Sequence, residues 1–175
     1  MKHYDLITIG TGSAMNIVDA MIQQNPKIRV AVIDKDEPGG ICLTRGCIPS
    51  KILLYPAELV RTIEKARELG IDTEISRVDF KMIMERMRTL IKKDIDQIRE
   101  GLSTSENIDY YHSQAEFVAP YTLRVDGIEI SSNMIFLGTG SRIIIPPING
   151  LDKIRYHTSD TAFKLTTLPE SIAII

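Results

Sequence analysis

The protein has 175 residues, which is enough for one domain with a proper core but too few for two large ones. Its net charge is −2 and its composition, 43% hydrophobic and 25% charged, is that of a soluble globular protein, so we expect no nucleic-acid or membrane partner. No apolar run is long enough to span a bilayer, and residues 1–10 show no signal-peptide pattern. We therefore expect a cytoplasmic protein, in which a lasting structural disulfide would be unusual.

The first part of the chain has the pattern of a nucleotide-binding βαβ unit. Residues 4–10 predict a buried strand, Gly10-Thr11-Gly12-Ser13 a turn into a helix, and Val30–Ile33 a second strand that ends at Asp34. Gly10 would allow the tight turn, and Gly12 would let a pyrophosphate approach the helix N-terminus. Asp34 could accept hydrogen bonds from ribose hydroxyls. The glycine motif alone is weak, because Met15 replaces its third glycine, and a plain βαβ turn is the alternative.

Both cysteines lie in the segment Gly39–Lys51, which reads GGICLTRGCIPSK. A structural disulfide between Cys42 and Cys47 would close so small a loop that it would add only roughly 2 kcal/mol. A zinc site lacks further ligands, because the three histidines show no ligand spacing. A redox dithiol fits better, since a helix N-terminus stabilises a thiolate and Lys51 adds positive charge. The spacing therefore favours a disulfide that opens and closes during function.

Two helices are predicted next, over Ile52–Leu69 and Asp79–Ser103. Pro56 predicts a kink or break of the first helix near Leu54, and Gly70 predicts its end. The second helix carries a regular apolar stripe, which we assign to the core and not to a ligand surface.

From residue 108 onward the pattern changes to short strands. Asp126-Gly127 predicts a type I′ hairpin, Gly138–Ser141 a second glycine turn, and Pro146-Pro147 a linker. The predicted strands are 109–112, 115–118, 122–125, 128–131 and 134–137, with the start of another at 171–175.

The cysteine segment closely resembles the GGTCLNxGCIPSK signature of the flavin-dependent pyridine nucleotide–disulfide oxidoreductases. The form CLxxGCIPSK is most similar to that of the dihydrolipoamide dehydrogenases. The resemblance continues through DLITIGTGS, VAVIDK, TGSR and TSDTAFKLTTLPESIAII, so it covers the whole chain.

The resemblance implies that FAD, not NAD, occupies the first nucleotide site. Gly10, Gly12 and Ser13 would hold its pyrophosphate and Asp34 its adenosine ribose, while Ala115 would lie against the adenine. The other implied contacts are Lys35, Gly40, Ile41, Thr139, Gly140 and Ser141. The departures are Ile41 in place of a threonine, Thr44-Arg45 in place of asparagine and a small residue, and Met15, which predicts an outward shift of the first helix.

The resemblance also assigns roles to the segment that holds the thiols. Cys47 would be the charge-transfer thiol beside the flavin, Cys42 the interchange thiol that attacks the substrate disulfide, and Lys51 would lie near flavin N5. The parent protein would be a homodimer that oxidises dihydrolipoamide, free or on a lipoyl domain, with FAD and NAD⁺. The alternatives are a mercuric, glutathione-like or mycothione-like reductase, or a non-catalytic fragment that binds no cofactor.

The implied fold class is α/β, a Rossmann-like FAD-binding domain that is incomplete at its C-terminus. It would have three layers, with a central parallel sheet and a small antiparallel β-meander. Residues 1–145 would form this domain, with a helical excursion over about residues 48–105. Residues 146–175 would be the connector and the first strand of an NAD(P)-binding domain.

Overall fold

A six-stranded sheet in the order β3-β2-β1-β6-β5-β4 forms the centre of the fold in the computed structural model, which describes residues 1–175. Parallel pairing joins β1 to β2, β2 to β3 and β1 to β6, whereas β4, β5 and β6 form an antiparallel meander. The predicted fold class, a Rossmann-like α/β domain with a mainly parallel sheet, is confirmed. The strands are Lys2–Ile9 (β1), Val30–Ile33 (β2), Ile108–Tyr111 (β3), Ala115–Ala119 (β4), Thr122–Val125 (β5) and Ile128–Leu137 (β6).

Four α-helices and one 3₁₀ turn lie between these strands, and a fifth α-helix and a second 3₁₀ turn follow β6. The α-helices are Met15–Gln24 (α1), Gly40–Arg45 (α2), Cys47–Lys65 (α3), Phe80–Thr104 (α4) and Ser159–Ala162 (α5), and the 3₁₀ turns are Ala66–Leu69 and Leu151–Lys153. None of the helices combines the length and apolarity that crossing a membrane requires.

The chain divides into two compact units. The first consists of Met1–Thr44 and Lys93–Arg142, and the second of Arg45–Lys92 and Ile143–Ile175. The first unit contains the whole sheet. The division into a domain over residues 1–145 and a connector over 146–175 stays a prediction.

The parallel core of the sheet in the first unit has apolar clusters on both faces. One face carries a cluster that includes Tyr4, Ile7 and Leu123, and the other a cluster that includes Val18, Val32 and Leu102. All four residues of β2 are fully buried, which explains its unbroken apolar sequence VAVI. The carboxyl ends of the parallel strands are therefore held at fixed positions, which is where a ligand meets such a sheet.

Of the kink or break predicted near Leu54, the break at Pro56 is wrong, because α3 runs without interruption from Cys47 to Lys65, and the kink stays a prediction. Proline removes one backbone donor, and the other hydrogen bonds of a 19-residue helix maintain the helix on either side. The predicted end is confirmed, since Gly70 adopts a left-handed conformation with φ of 79° and its N–H donates to the carbonyl groups of the preceding turn.

The predictions for residues 128–137 and 171–175 need correction. The two strands expected in the first range are one, because β6 pairs with β1 along its length and the buried Ser132 hydroxyl bonds locally to Met134. Residues 171–175 form no strand, because none of the six strands pairs with them. The Asp126-Gly127 hairpin is confirmed, with φ of 49° and 75°, the signature of a type I′ turn.

Candidate functional site

The two predicted glycine turns meet at the carboxyl ends of β1 and β6. The Gly10 amide donates to the Ile33 carbonyl at 2.7 Å, and the Gly138 amide donates to the Ile9 carbonyl at 2.8 Å. Gly10 has φ of 111°, and a Cβ atom there would lie 2.1 Å from the Gly138 carbonyl oxygen. Only glycine fits this position, so the tight turn predicted at Gly10 is present.

The close approach of α1 to the sheet occurs at Ala14. A Cβ atom on Gly138 would lie 2.6 Å from the Ala14 Cβ, and Ala14 is buried. Met15 packs instead against the apolar cluster that contains Val18. The residue that must stay small is therefore Ala14, and the methionine lies beside this contact and not in it.

The start of α1 is open to an anion. No side chain caps this helix, and its first turn contains no acidic residue. The turn before it touches the start of α2, since a Cβ atom on Gly40 would lie 2.7 Å from the Gly12 Cα. Exposed Ser13 completes the turn. A pyrophosphate requires backbone N–H groups that lack hydrogen-bond partners and a backbone without bulky side chains nearby. The residues of this turn therefore fit a dinucleotide.

Asp34 is fixed by three hydrogen bonds from its own chain. Its Oδ2 accepts the Thr11 amide at 2.8 Å and the Thr11 hydroxyl at 2.6 Å, and its Oδ1 accepts the Asp36 amide at 3.0 Å. The Thr11 hydroxyl also accepts the Gly39 amide at 3.2 Å. An ionised carboxylate has about four acceptor sites, so Oδ1 can still accept a further hydroxyl. This role of Thr11 could not be predicted, since a threonine between two glycines has no distinctive sequence pattern.

Helix α2 carries Cys42 next to the nucleotide turn. Its anchor is Leu43, which is buried and lies against Gly39, where a Cβ atom would be 2.4 Å from the leucine Cδ2. The Thr44 hydroxyl donates to the Gly40 carbonyl at 2.8 Å, so this departure from the family signature is satisfied within the helix. Cys42 itself is exposed and is not part of a disulfide.

Cys47 is the first residue of α3, in the second unit, and is likewise exposed and outside a disulfide. Gly46 precedes it with φ of −140° and ψ of −113°, which separates α3 from α2. The Ser50 hydroxyl donates to the Gly46 carbonyl at 2.8 Å or the Cys47 carbonyl at 2.9 Å, and Pro49 is buried beside it. Lys51 is exposed on the same helix. Cys47 therefore lies at a helix N-terminus, as the sequence predicts for a thiol of this segment.

The remaining predicted site residues fall into two groups. Ile41 is half-buried and lies close to Gly140, whose added Cβ atom would be 3.8 Å from the Ile41 Cδ1. Thr139 and Ser141 are exposed beside Gly140. Away from these, the exposed Lys35 pairs with Asp36, and Ala115 packs against the apolar cluster on the meander face. The structure thus brings Gly10, Gly12, Asp34, Gly40, Ile41 and Gly140 to one edge of the first unit.

Two further features of this edge were not indicated by the sequence. The Tyr110 hydroxyl is buried without a hydrogen-bond partner, and burial, followed by the negative charge of Asp34, raises the pKa of Tyr110. A cleft of about 490 Å³ borders Gly12 and Gly39 and has an apolar wall formed by Met15, Ile22, Ile98 and Leu102. The nucleotide turn therefore faces open space and not packed protein.

The profile described as pyridine nucleotide-disulphide oxidoreductase matches residues 4–175. The chain belongs to this family. Within the family it is 35% identical to a mycothione reductase of Mycobacterium tuberculosis over 181 residues, with 100% of this chain and 39% of that protein aligned. It is 33% identical to a dihydrolipoyl dehydrogenase of Chlamydia pneumoniae, with 99% of this chain and 38% of that protein aligned.

Among solved structures, the HOCl-induced flavoprotein disulfide reductase RclA of Escherichia coli is similar, with a TM-score of 0.77 and 28% sequence identity. The match covers 95% of this chain and 35% of RclA. The chain thus spans about two fifths or less of each of these three relatives. Homologues in this family are FAD-binding flavoproteins, so FAD is the cofactor that the nucleotide turn must be compared with.

Proposed function

We propose that this chain is the FAD-binding portion of a flavin-dependent dithiol/disulfide oxidoreductase with Cys42 and Cys47 as its redox-active pair. The observation that carries the proposal is the contact between Gly12 and Gly40. It joins the open N-terminus of α1 to the helix that bears Cys42. A redox cofactor held at the turn would therefore lie on the same edge of the sheet as a reactive thiol.

The geometry of the glycine turn indicates which residues would hold FAD. The amide groups around Gly10, Gly12 and Ser13 would bind the pyrophosphate, and the free acceptor capacity of Asp34 would bind the adenosine ribose. The remaining proposed contacts are Lys35, Gly40, Ile41, Lys51, Ala115, Thr139, Gly140 and Ser141. When bound, FAD supplies the group that accepts or donates an electron pair.

The cysteines supply the disulfide chemistry. Two thiols that become a disulfide release two protons and two electrons, and the reverse reaction consumes them. Cys47 is the first residue of α3, and we assign it the cofactor-facing role. Cys42 is exposed, and we assign it the exchange with substrate.

We propose dihydrolipoamide as the substrate of the parent protein, with NAD⁺ as the electron acceptor, in a cytoplasmic homodimer. The CLxxGCIPSK form of the segment and the similarity to a dihydrolipoyl dehydrogenase support it. A mycothione-type disulfide is the second candidate, because a mycothione reductase is 35% identical.

Titration of the purified chain with FAD tests the cofactor part of the proposal. Quenching of flavin fluorescence that saturates at one FAD per chain supports it, and a Gly40→Ala variant should bind more weakly because the added methyl group meets Gly12. Absence of saturable binding would favour the alternative of a fragment without cofactor. Counting the free thiols after mild oxidation tests the cysteine pair independently.

A further inference from the structure

An ion pair connects the turn between the two cysteines to a segment that lies far away in the sequence. Arg45 Nε lies 2.8 Å from Asp160 Oδ1, with side-chain exposures of 32% and 52%. Arg45 is the last residue of α2, and Gly46 after it leaves the helical conformation before Cys47 starts α3. The ion pair therefore acts on the two residues that set the direction in which α3 begins.

Asp160 lies on an ordered turn. At the start of α5 the Thr158 amide donates to the Thr161 hydroxyl at 3.0 Å, and the Thr161 amide donates to the Thr158 carbonyl at 3.0 Å. Beyond α5, Arg88 of α4 donates to the Leu165 carbonyl at 3.3 Å. The carboxylate that meets Arg45 is thus fixed on both sides by the second unit, to which all these residues belong.

We propose that Arg45 and Asp160 are positioning residues that stabilise the Cys42–Cys47 disulfide relative to its reduced form. This inference rests on the proposed redox role of the two cysteines. A disulfide requires a narrow range of Cα and Cβ separations, so fixing the backbone of the short intercysteine turn raises the effective concentration of one thiol for the other.

The test is a redox titration of the intact 175-residue chain with mixtures of reduced and oxidised glutathione. One glutathione disulfide and the two cysteine thiols give one intramolecular disulfide and two molecules of glutathione, through a mixed disulfide. Alkylation of the remaining thiols and mass measurement give the oxidised fraction and hence the equilibrium constant. Asp160→Asn, which keeps the shape of the side chain, should lower this constant about threefold, the scale of a partly exposed ion pair.

The matched control is Asp72→Asn, which breaks the exposed pair between Arg67 and Asp72 in the same unit and removes the same charge. It should leave the constant unchanged. In an Arg45→Gln background the effect of Asp160→Asn should disappear, because the two residues act through one contact. Circular dichroism verifies that each variant is folded, and the double variant keeps the test valid if one single variant is unstable.

An Asp160→Asn constant equal to that of the wild type, or an undiminished effect in the Arg45→Gln background, would overturn this inference and leave the redox pair intact. A wild-type chain that forms no intramolecular disulfide at any glutathione ratio would overturn the proposed function as well. The two failures are therefore distinguishable in one experiment.

Discussion

The Thr11 hydroxyl donates a 2.6 Å hydrogen bond to Asp34 Oδ2, the same oxygen that accepts the Thr11 amide at 2.8 Å. The residue between the two glycines of the turn thus holds the carboxylate that we assign to the ribose. Thr11 is buried, and its hydroxyl also receives the Gly39 amide. Three segments of the site depend on this one hydroxyl.

Replacing Thr11 by valine should weaken FAD binding about fivefold, because the hydroxyl is removed while shape is kept and Asp34 is freed to turn. Thr11→Ser should bind as the wild type does, since serine keeps the hydroxyl. Flavin fluorescence titration of both variants measures the difference. Equal affinities for the valine and serine variants would contradict the positioning role of this hydroxyl.

Gly40→Ala should reduce FAD affinity by about tenfold or more, because its methyl group would lie 2.7 Å from the Gly12 Cα and push the two segments apart. Gly127→Ala is the control, since its φ is also positive but its Cβ atom would meet nothing within 4 Å. Both variants should lose about 1 kcal/mol of stability to the left-handed backbone. Loss of FAD affinity in the Gly127 variant too would show that the effect comes from backbone strain.

Oxidation of the wild-type chain by glutathione disulfide should remove both free thiols without adding mass from glutathione. Cys42→Ser and Cys47→Ser should each leave one exposed thiol, which ends as a glutathione adduct because no second cysteine can displace it. Mass spectrometry of the intact chain distinguishes the two products. A stable glutathione adduct on the wild-type chain would argue against a functional dithiol pair.

Tyr4→Phe should cost about 1 to 2 kcal/mol of unfolding free energy at neutral pH. The buried Tyr4 hydroxyl bonds to Asp109 Oδ2 at 2.5 Å and to the Tyr111 hydroxyl at 2.7 Å, and the first of these bonds lowers the pKa of Asp109. Tyr55→Phe, at an exposed position of α3, should cost nothing measurable.

The cost of Tyr4→Phe should depend on pH. A carboxyl whose pKa is lowered by folding contributes stability above its unfolded value of 3.8 and loses this contribution as the pH falls through the lowered folded value. The cost should therefore shrink when the pH is lowered from about 5 towards 2, as urea unfolding at several pH values would measure. A pH-independent cost would mean that Asp109 does not receive this hydrogen bond.

Local patterns predicted the parts of the fold that depend on local physics. The apolar run Val30–Ile33 is β2 with the same bounds, and Asp126-Gly127 forms the predicted turn. The predicted break at Pro56 is wrong, because the other hydrogen bonds of a 19-residue helix outweigh the local cost of one proline. The predicted division of β6 into strands 128–131 and 134–137 is also wrong, because pairing with the neighbouring β1 continues from Ile130 to Leu137.

Only the glycines and cysteines of the candidate site could be predicted, because the turn requires glycine and the redox chemistry requires cysteine. The contact of Ala14 with Gly138 and the pairing of Arg45 with Asp160 join residues more than a hundred positions apart, so no spacing rule could indicate them. Thr11 and Tyr110 act through side-chain geometry, which depends on the packed sheet.

The bond between Gly138 and Ile9 also sets an order of events during synthesis. The nucleotide turn is encoded within the first fourteen residues, yet its outer wall is the backbone at Gly138, which is translated long afterwards. Closing so long a loop is entropically costly until the intervening helices and the meander have folded. A nascent chain that ends before residue 138 should therefore lack the complete nucleotide-binding turn. FAD should then bind only late in synthesis, after the sheet has formed.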